Sequence, residues 1–229
     1  MKCSWLIRNN NPGLVLLFSG WGGEDCLFRE YRPSGADFLV CSDYRNLDFD
    51  PGLLDGYDTI RVAGWSLGVW VASHVLQGIS APFSDRVAVN GTLHPVDDSF
   101  GIPVQVFRGT LERMDDLTLL KFRRRMCGSG EGLARFMSCG PVRTSGELKD
   151  ELECLYRAVC AYPVPEFTWT RALTGMSDRI FPPENQIAAW QSSGTPVITA
   201  GEEHYSENFF RTALGCMPDN GKSDTGYDG

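Results

Sequence analysis

The chain has 229 residues, enough for one domain with a modest insertion and ample to bury a core without cross-links. Apolar residues make up 42% and charged residues 22%, a globular mix that excludes wholesale disorder. Its 21 basic and 29 acidic side chains leave a net charge of −8, which argues against nucleic acid and acidic membrane surfaces as partners.

Met1-Lys2-Cys3-Ser4-Trp5 lacks the charged-then-apolar layout of a secretory leader. No run approaches the roughly 18 apolar residues that a bilayer span requires. The eight cysteines include no C-x-x-C pair and no cysteine–histidine spacing suited to zinc. The expectation is a cytoplasmic protein with reduced thiols and no metal site.

In chain order, the apolar run 14–18 predicts a buried strand ending in Ser19-Gly20-Trp21-Gly22-Gly23. Further strands are expected at 38–41, 59–63 and 85–90, and a helix at 67–77 that stops at Gly78. Strands separated by stretches that can hold helices predict crossovers and a mostly parallel sheet with helices on both faces. From 100 to 165 the pattern turns helical and charged, with helices at 117–126 and 147–159. Strands return at 167–172 and 196–200. The expected organisation is an α/β core of 1–99 and 166–216, a helical lid at 100–165, and a polar, Gly-rich, disordered tail at 217–229.

Gly64-Trp65-Ser66-Leu67-Gly68 lies directly between a strand and a helix. A G-x-S-x-G motif there forms a nucleophile elbow, a sharp turn that lifts the serine Oγ above the sheet at a helix N-terminus. A serine needs a base, and the chain has three histidines. His74 is carried away by the helix and His94 reads as a loop residue. His204, beyond the last strand, fits the Ser, acid, His order of an α/β-hydrolase. Asp178, past the strand at 167–172, is the candidate acid that would accept the imidazole Nδ1–H. The competing reading of Asp178 is a helix N-cap. Oxyanion donors would be the backbone N–H groups of Leu67, after the serine, and of Trp21, in the Gly-rich loop after an early strand.

Several segments together resemble the BioG-type pimeloyl-[acyl-carrier protein] methyl ester esterases, bacterial α/β-hydrolases of biotin synthesis. They are Ser19-Gly20-Trp21-Gly22-Gly23, Gly64-Trp65-Ser66-Leu67-Gly68-Val69-Trp70, Asp97-Asp98-Ser99-Phe100-Gly101-Ile102-Pro103 and Gly201-Glu202-Glu203-His204-Tyr205. The resemblance covers roughly residues 5 to 210. It implies a Ser66, Asp178, His204 triad, an oxyanion hole at Trp21 and Leu67, and removal of the methyl cap from pimeloyl-carrier protein methyl ester as methanol. It implies no metal or organic cofactor.

Lys121-Phe122-Arg123-Arg124-Arg125 is a basic cluster in an anionic chain. Lys121, Arg123, Arg124 and Arg125 are candidates for docking an acidic acyl carrier protein. The alternative is a solvated helix face paired with Asp115 and Asp116, since four such side chains cannot all point one way. Trp65, Phe100 and Phe122, with Trp70 and Phe107, are candidates to line an acyl channel, or else ordinary core. Rival readings are a thioesterase or small-ester esterase of the same fold, and a non-catalytic binding protein built on it.

Overall fold

The computed structural model describes residues 1–140 and 142–216, so the expectation of disorder at 217–229 lies outside the described residues. Seven strands among these residues form one sheet: β1 (Lys2–Ile7), β2 (Gly13–Phe18), β3 (Ala36–Ser42), β4 (Thr59–Trp65), β5 (Phe83–Val89), β6 (Arg171–Gly175) and β7 (Val197–Ala200). Their spatial order is β1-β3-β2-β4-β5-β6-β7. Only β1, against β3, is antiparallel. The run Leu14 to Phe18 is buried throughout, which is why β2 reads as continuously apolar rather than alternating.

Helix α1 (Leu67–Leu76) packs on β2 and β4. Between β5 and β6 the chain inserts α2 (Val104–Glu112), α3 (Asp116–Cys127), α4 (Gly130–Ser138) and α5 (Ser145–Ala161). Then α6 (Pro183–Ser192) packs on β6 and β7, and α7 (Glu207–Leu214) on β4 and β5. This is the α/β-hydrolase architecture with a helical insertion. Two insertion helices, α3 and α5, match the expected ones. The others were hidden by glycine, at Gly109 inside α2 and at Gly130 and Gly132 opening α4.

The expected strand at 167–172 is displaced toward the C-terminus. Trp169 Nε1 donates to Ser73 Oγ on α1 at 2.9 Å, so these aromatics pack across a helix before the sheet ladder starts at Arg171, opposite Val87. Strand β1 went unread because it is a half-buried edge strand with little continuous apolar signal. The carboxyl ends of the parallel strands lead directly to Ser19–Gly23, Ser66, Asn90, Asp178 and His204, the edge where open α/β sheets place their ligands.

Candidate active site

Ser66 has φ 58° and ψ −128°, a positive-φ conformation costly for any residue with a Cβ. The elbow tolerates it because its neighbours leave room. A Cβ at Gly68 would lie 2.3 Å from the Phe18 and Ser19 carbonyl oxygens, so only glycine lets α1 start against β2. Likewise a Cβ at Gly20 would lie 3.0 Å from Ser66 Cβ, which places the Ser19–Gly23 loop directly beside the serine.

His204 Nε2 lies 3.0 Å from Ser66 Oγ, and His204 Nδ1 lies 2.8 Å from Asp178 Oδ2. All three side chains are buried. With its Nδ1–H donated to Asp178, the imidazole presents the Nε2 lone pair to the serine hydroxyl. Asp178 is itself held: its Oδ1 accepts the Ile180 and Phe181 N–H groups at 2.7 and 3.0 Å, and its Oδ2 accepts Gln186 Nε2 at 3.0 Å. The carboxylate therefore caps a turn before α6, while Pro182 stands at the helix's own N-cap position. The Phe181 ring stacks parallel to the imidazole, with centroids 5.9 Å apart.

The histidine loop is clamped from β5 and β4. Asn90, buried at φ 45°, accepts the Gly175 N–H at 2.8 Å and donates to the Glu203 and His204 carbonyls at 2.8 and 3.0 Å. Trp65 Nε1 donates to the same His204 carbonyl at 2.9 Å. Among the described residues, neither the Trp21 nor the Leu67 backbone N–H has a protein acceptor. Both residues border a cleft with Ser66. Its remaining walls are mostly apolar, from Ile102, Val106, Phe107, Phe122, Leu152 and Ile180, with Arg125 and Arg179 as its cations. The cleft thus brings together a serine hydroxyl, an imidazole nitrogen 3.0 Å from it and two N–H groups without protein acceptors, an arrangement of the kind that acyl transfer can use.

The chain matches the family described as pimeloyl-ACP methyl esterase BioG over residues 1–213. It belongs to that family. The crystal structure of BioG from Haemophilus influenzae superposes with a TM-score of 0.83 at 38% identity, over 92% of this chain and 96% of that one. A malonyl-[acyl-carrier protein] O-methyltransferase of Bacteroides fragilis is 43% identical over 200 residues, covering 87% of this chain. The chain spans only 41% of that relative's length. An esterase of Exiguobacterium antarcticum shares the fold alone, with a TM-score of 0.64 at 14% identity over 88% of this chain and 87% of that one.

Within this BioG fold the sequence candidates separate. Trp21, Leu67, Phe107, Phe122 and Arg125 line the cleft. Trp65 does not: it is buried behind the imidazole among Phe28, Tyr205 and Phe210, and touches the site through its indole N–H. Trp70 is core, stacked on His74. Phe100 lies away from the cleft, against His94. The basic cluster also divides. Arg123 turns inward over the Phe136 ring, 5.7 Å from its centroid, and burial pulls its guanidinium below its ordinary value. Lys121, Arg124 and Arg125 face a groove with Arg113, a residue the sequence did not single out. Asp115, offered as a surface partner, instead caps α3 by accepting the Thr118 N–H at 2.7 Å.

The eight cysteines are all unbridged. Burial pushes the Cys127 thiol up to about 12, so it is no rival nucleophile at neutral pH. Asn90 and Gln186 were missed. A single sequence marks a strand-end asparagine as a turn residue and gives no sign of the loop it holds.

Proposed function

We propose that this chain is a serine esterase that hydrolyses the methyl ester of pimeloyl-acyl carrier protein methyl ester, releasing methanol and the free carboxylate for biotin synthesis. The observation that carries the reading is the Ser66–His204–Asp178 hydrogen-bonded series at the foot of an apolar cleft, in a chain of this family. His204 Nε2 takes the Ser66 proton as Oγ attacks the ester carbonyl, and Asp178 stabilises the imidazolium. The Trp21 and Leu67 N–H groups receive the oxyanion. Collapse expels methoxide, which takes the proton from His204 and leaves as methanol. Water, activated by the same histidine, then cleaves the acyl-enzyme.

The helical insertion acts as the lid, and its apolar side chains suit a polymethylene chain. The cleft and the basic groove share Val106, Thr110 and Arg125, so an acyl chain reaching Ser66 leaves its carrier beside Arg113, Lys121, Arg124 and Arg125. An acidic carrier protein is the complementary partner for that face. The relative named as a malonyl-carrier O-methyltransferase, which extends well beyond the matched region, fits a sequence in which one activity installs the methyl group and this one removes it.

The test is purified protein with pimeloyl-carrier methyl ester, following free carboxylate and free carrier thiol separately, beside Ser66→Ala. Carboxylate should appear with the thioester intact, and kcat should fall by about 10⁴-fold or more in the variant. Thiol release instead would make the protein a thioesterase. Absence of both, with a fluorophosphonate probe still labelling Ser66, would leave the serine hydrolase and remove this substrate.

A further inference from the structure

The loop that brings Trp21 to the site is tied to α5 and to the residues just before it in three ways. The Trp21 indole Nε1 donates to the Leu148 carbonyl at 2.8 Å. Glu24, one residue past the loop, accepts the Val142 and Arg143 N–H groups, each at 3.2 Å, and its carboxylate lies 3.5 Å from Arg143 Nε. The third tie runs through Glu151, which is completely buried. Its Oε2 pairs with the Arg143 guanidinium at 2.9 Å, and its Oε1 accepts the Tyr44 N–H at 2.8 Å. The Tyr44 hydroxyl lies within hydrogen-bond reach of two carbonyls, Ser19 at 2.7 Å and Cys41 at 2.9 Å. Ser19 begins the Trp21 loop, and its own N–H donates to the same Cys41 carbonyl at 2.9 Å.

A buried carboxylate and a nearly buried guanidinium are costly to desolvate and are weak evidence for stability by themselves. Their worth is directional. Glu151 fixes the Tyr44 backbone and Arg143 at once, and both lead to opposite ends of the Ser19–Glu24 segment. We infer that Glu151 is a positioning residue, which acts through Tyr44 and Arg143 to set the Trp21 N–H against the developing oxyanion. This rests on the esterase reading given above, and it assigns half of the oxyanion-binding apparatus to the inserted helices.

The test compares wild-type protein with Glu151→Gln and Tyr44→Phe on a short p-nitrophenyl ester, with an alkyl boronic acid as the probe of the tetrahedral adduct. A glutamine satisfies Tyr44 or Arg143 but not both, because both are donors and its NH₂ must face one of them. Tyr44→Phe removes only the hydroxyl that reaches the Ser19 and Cys41 carbonyls. Each variant should lower kcat by about fivefold or more with KM held within about twofold, and boronate affinity should fall in step with kcat. Should Glu151→Gln not fold, Tyr44→Phe decides alone. A kcat within about twofold of wild type with boronate affinity retained, or a loss confined to KM, overturns the positioning role while leaving the esterase standing. Wild-type protein that neither turns over the ester nor binds the boronate overturns the esterase reading and this inference with it.

Discussion

The two halves of the site are held by different parts of the molecule. Ser66, Asp178 and His204 each follow a strand, and their anchors are Trp65 and Asn90 at strand ends and Gln186 on a helix packed against the sheet. Trp21 also follows a strand, yet its indole and the ends of its loop are tied to residues 142–151 of the insertion. The histidine loop touches the insertion as well, where the Tyr205 N–H meets the Met126 carbonyl, but the imidazole's own supports lie in the core. A group fixed by sheet ends is set once the sheet has formed. One fixed by an inserted helix is set by whatever positions that helix, and the same helices line the cleft. Leu148 and Glu151, on the holding side, and Leu152, in the cleft wall, thus belong to one helix, α5.

The largest effect expected from disturbing one half alone is at Asn90. Asn90→Ala strips the acceptor from the Gly175 N–H and the side-chain donor from the Glu203 and His204 carbonyls, all in the buried edge of the sheet. It also places alanine at φ 45°. The expected cost is about 3 kcal/mol, because groups left unsatisfied in the interior carry most of the penalty. Urea denaturation measures it, and kcat should fall with it because the imidazole loses its clamp. Unchanged stability would mean that Trp65 holds the loop without help.

That contrast also explains what could be read from the sequence. Ser66 was legible because an elbow needs glycines at fixed offsets between strand and helix, and His204 and Asp178 followed from chain order and strand ends. Local pattern carried all three. Trp65 stayed open between channel and core because an indole beside the serine can face either way, and only the fold shows its N–H on the His204 carbonyl. Glu151 was invisible for a stronger reason. It lies 107 residues from Tyr44, on a helix whose charged pattern reads as a solvated face, so its burial is a property of packing and not of period. Arg113 was separated from Lys121, Arg124 and Arg125 by a helix boundary that a pattern of charges does not reveal.

A smaller effect, in pH, sharpens the comparison on the insertion side. Burial raises the Glu151 carboxyl above its ordinary 4.5, opposed chiefly by the Arg143 charge. A carboxyl raised in the folded state binds more protons there than in the unfolded chain. Its contribution to stability is therefore full below the ordinary value and lost as pH rises through the raised one. Glutamine has no such loss. The melting temperature of Glu151→Gln minus that of wild type should rise as pH is taken upward from about 4.5 toward 8. A difference falling over that range would mean that the ion pair with Arg143 outweighs burial.

The smallest effect discriminates most finely. Thr144 caps α5 with a capping box, its Oγ1 accepting the Glu147 N–H while the Glu147 carboxylate accepts the Thr144 N–H. Ser129 caps α4 more simply, by accepting the Gly132 N–H at 3.0 Å. Replacing either with alanine should cost about 1 kcal/mol, so thermal melts alone will not tell them apart. Kinetics should. The first turns of α5 carry Leu148 and Glu151, whereas α4 makes no hydrogen bond or ion pair to the Ser19–Glu24 segment among the described residues. Thr144→Ala should lower kcat by about two- to threefold at constant KM, and Ser129→Ala should leave it unchanged. Equal effects on kcat would place the Trp21 loop under general control of the insertion's stability, and would remove any special part for the start of α5.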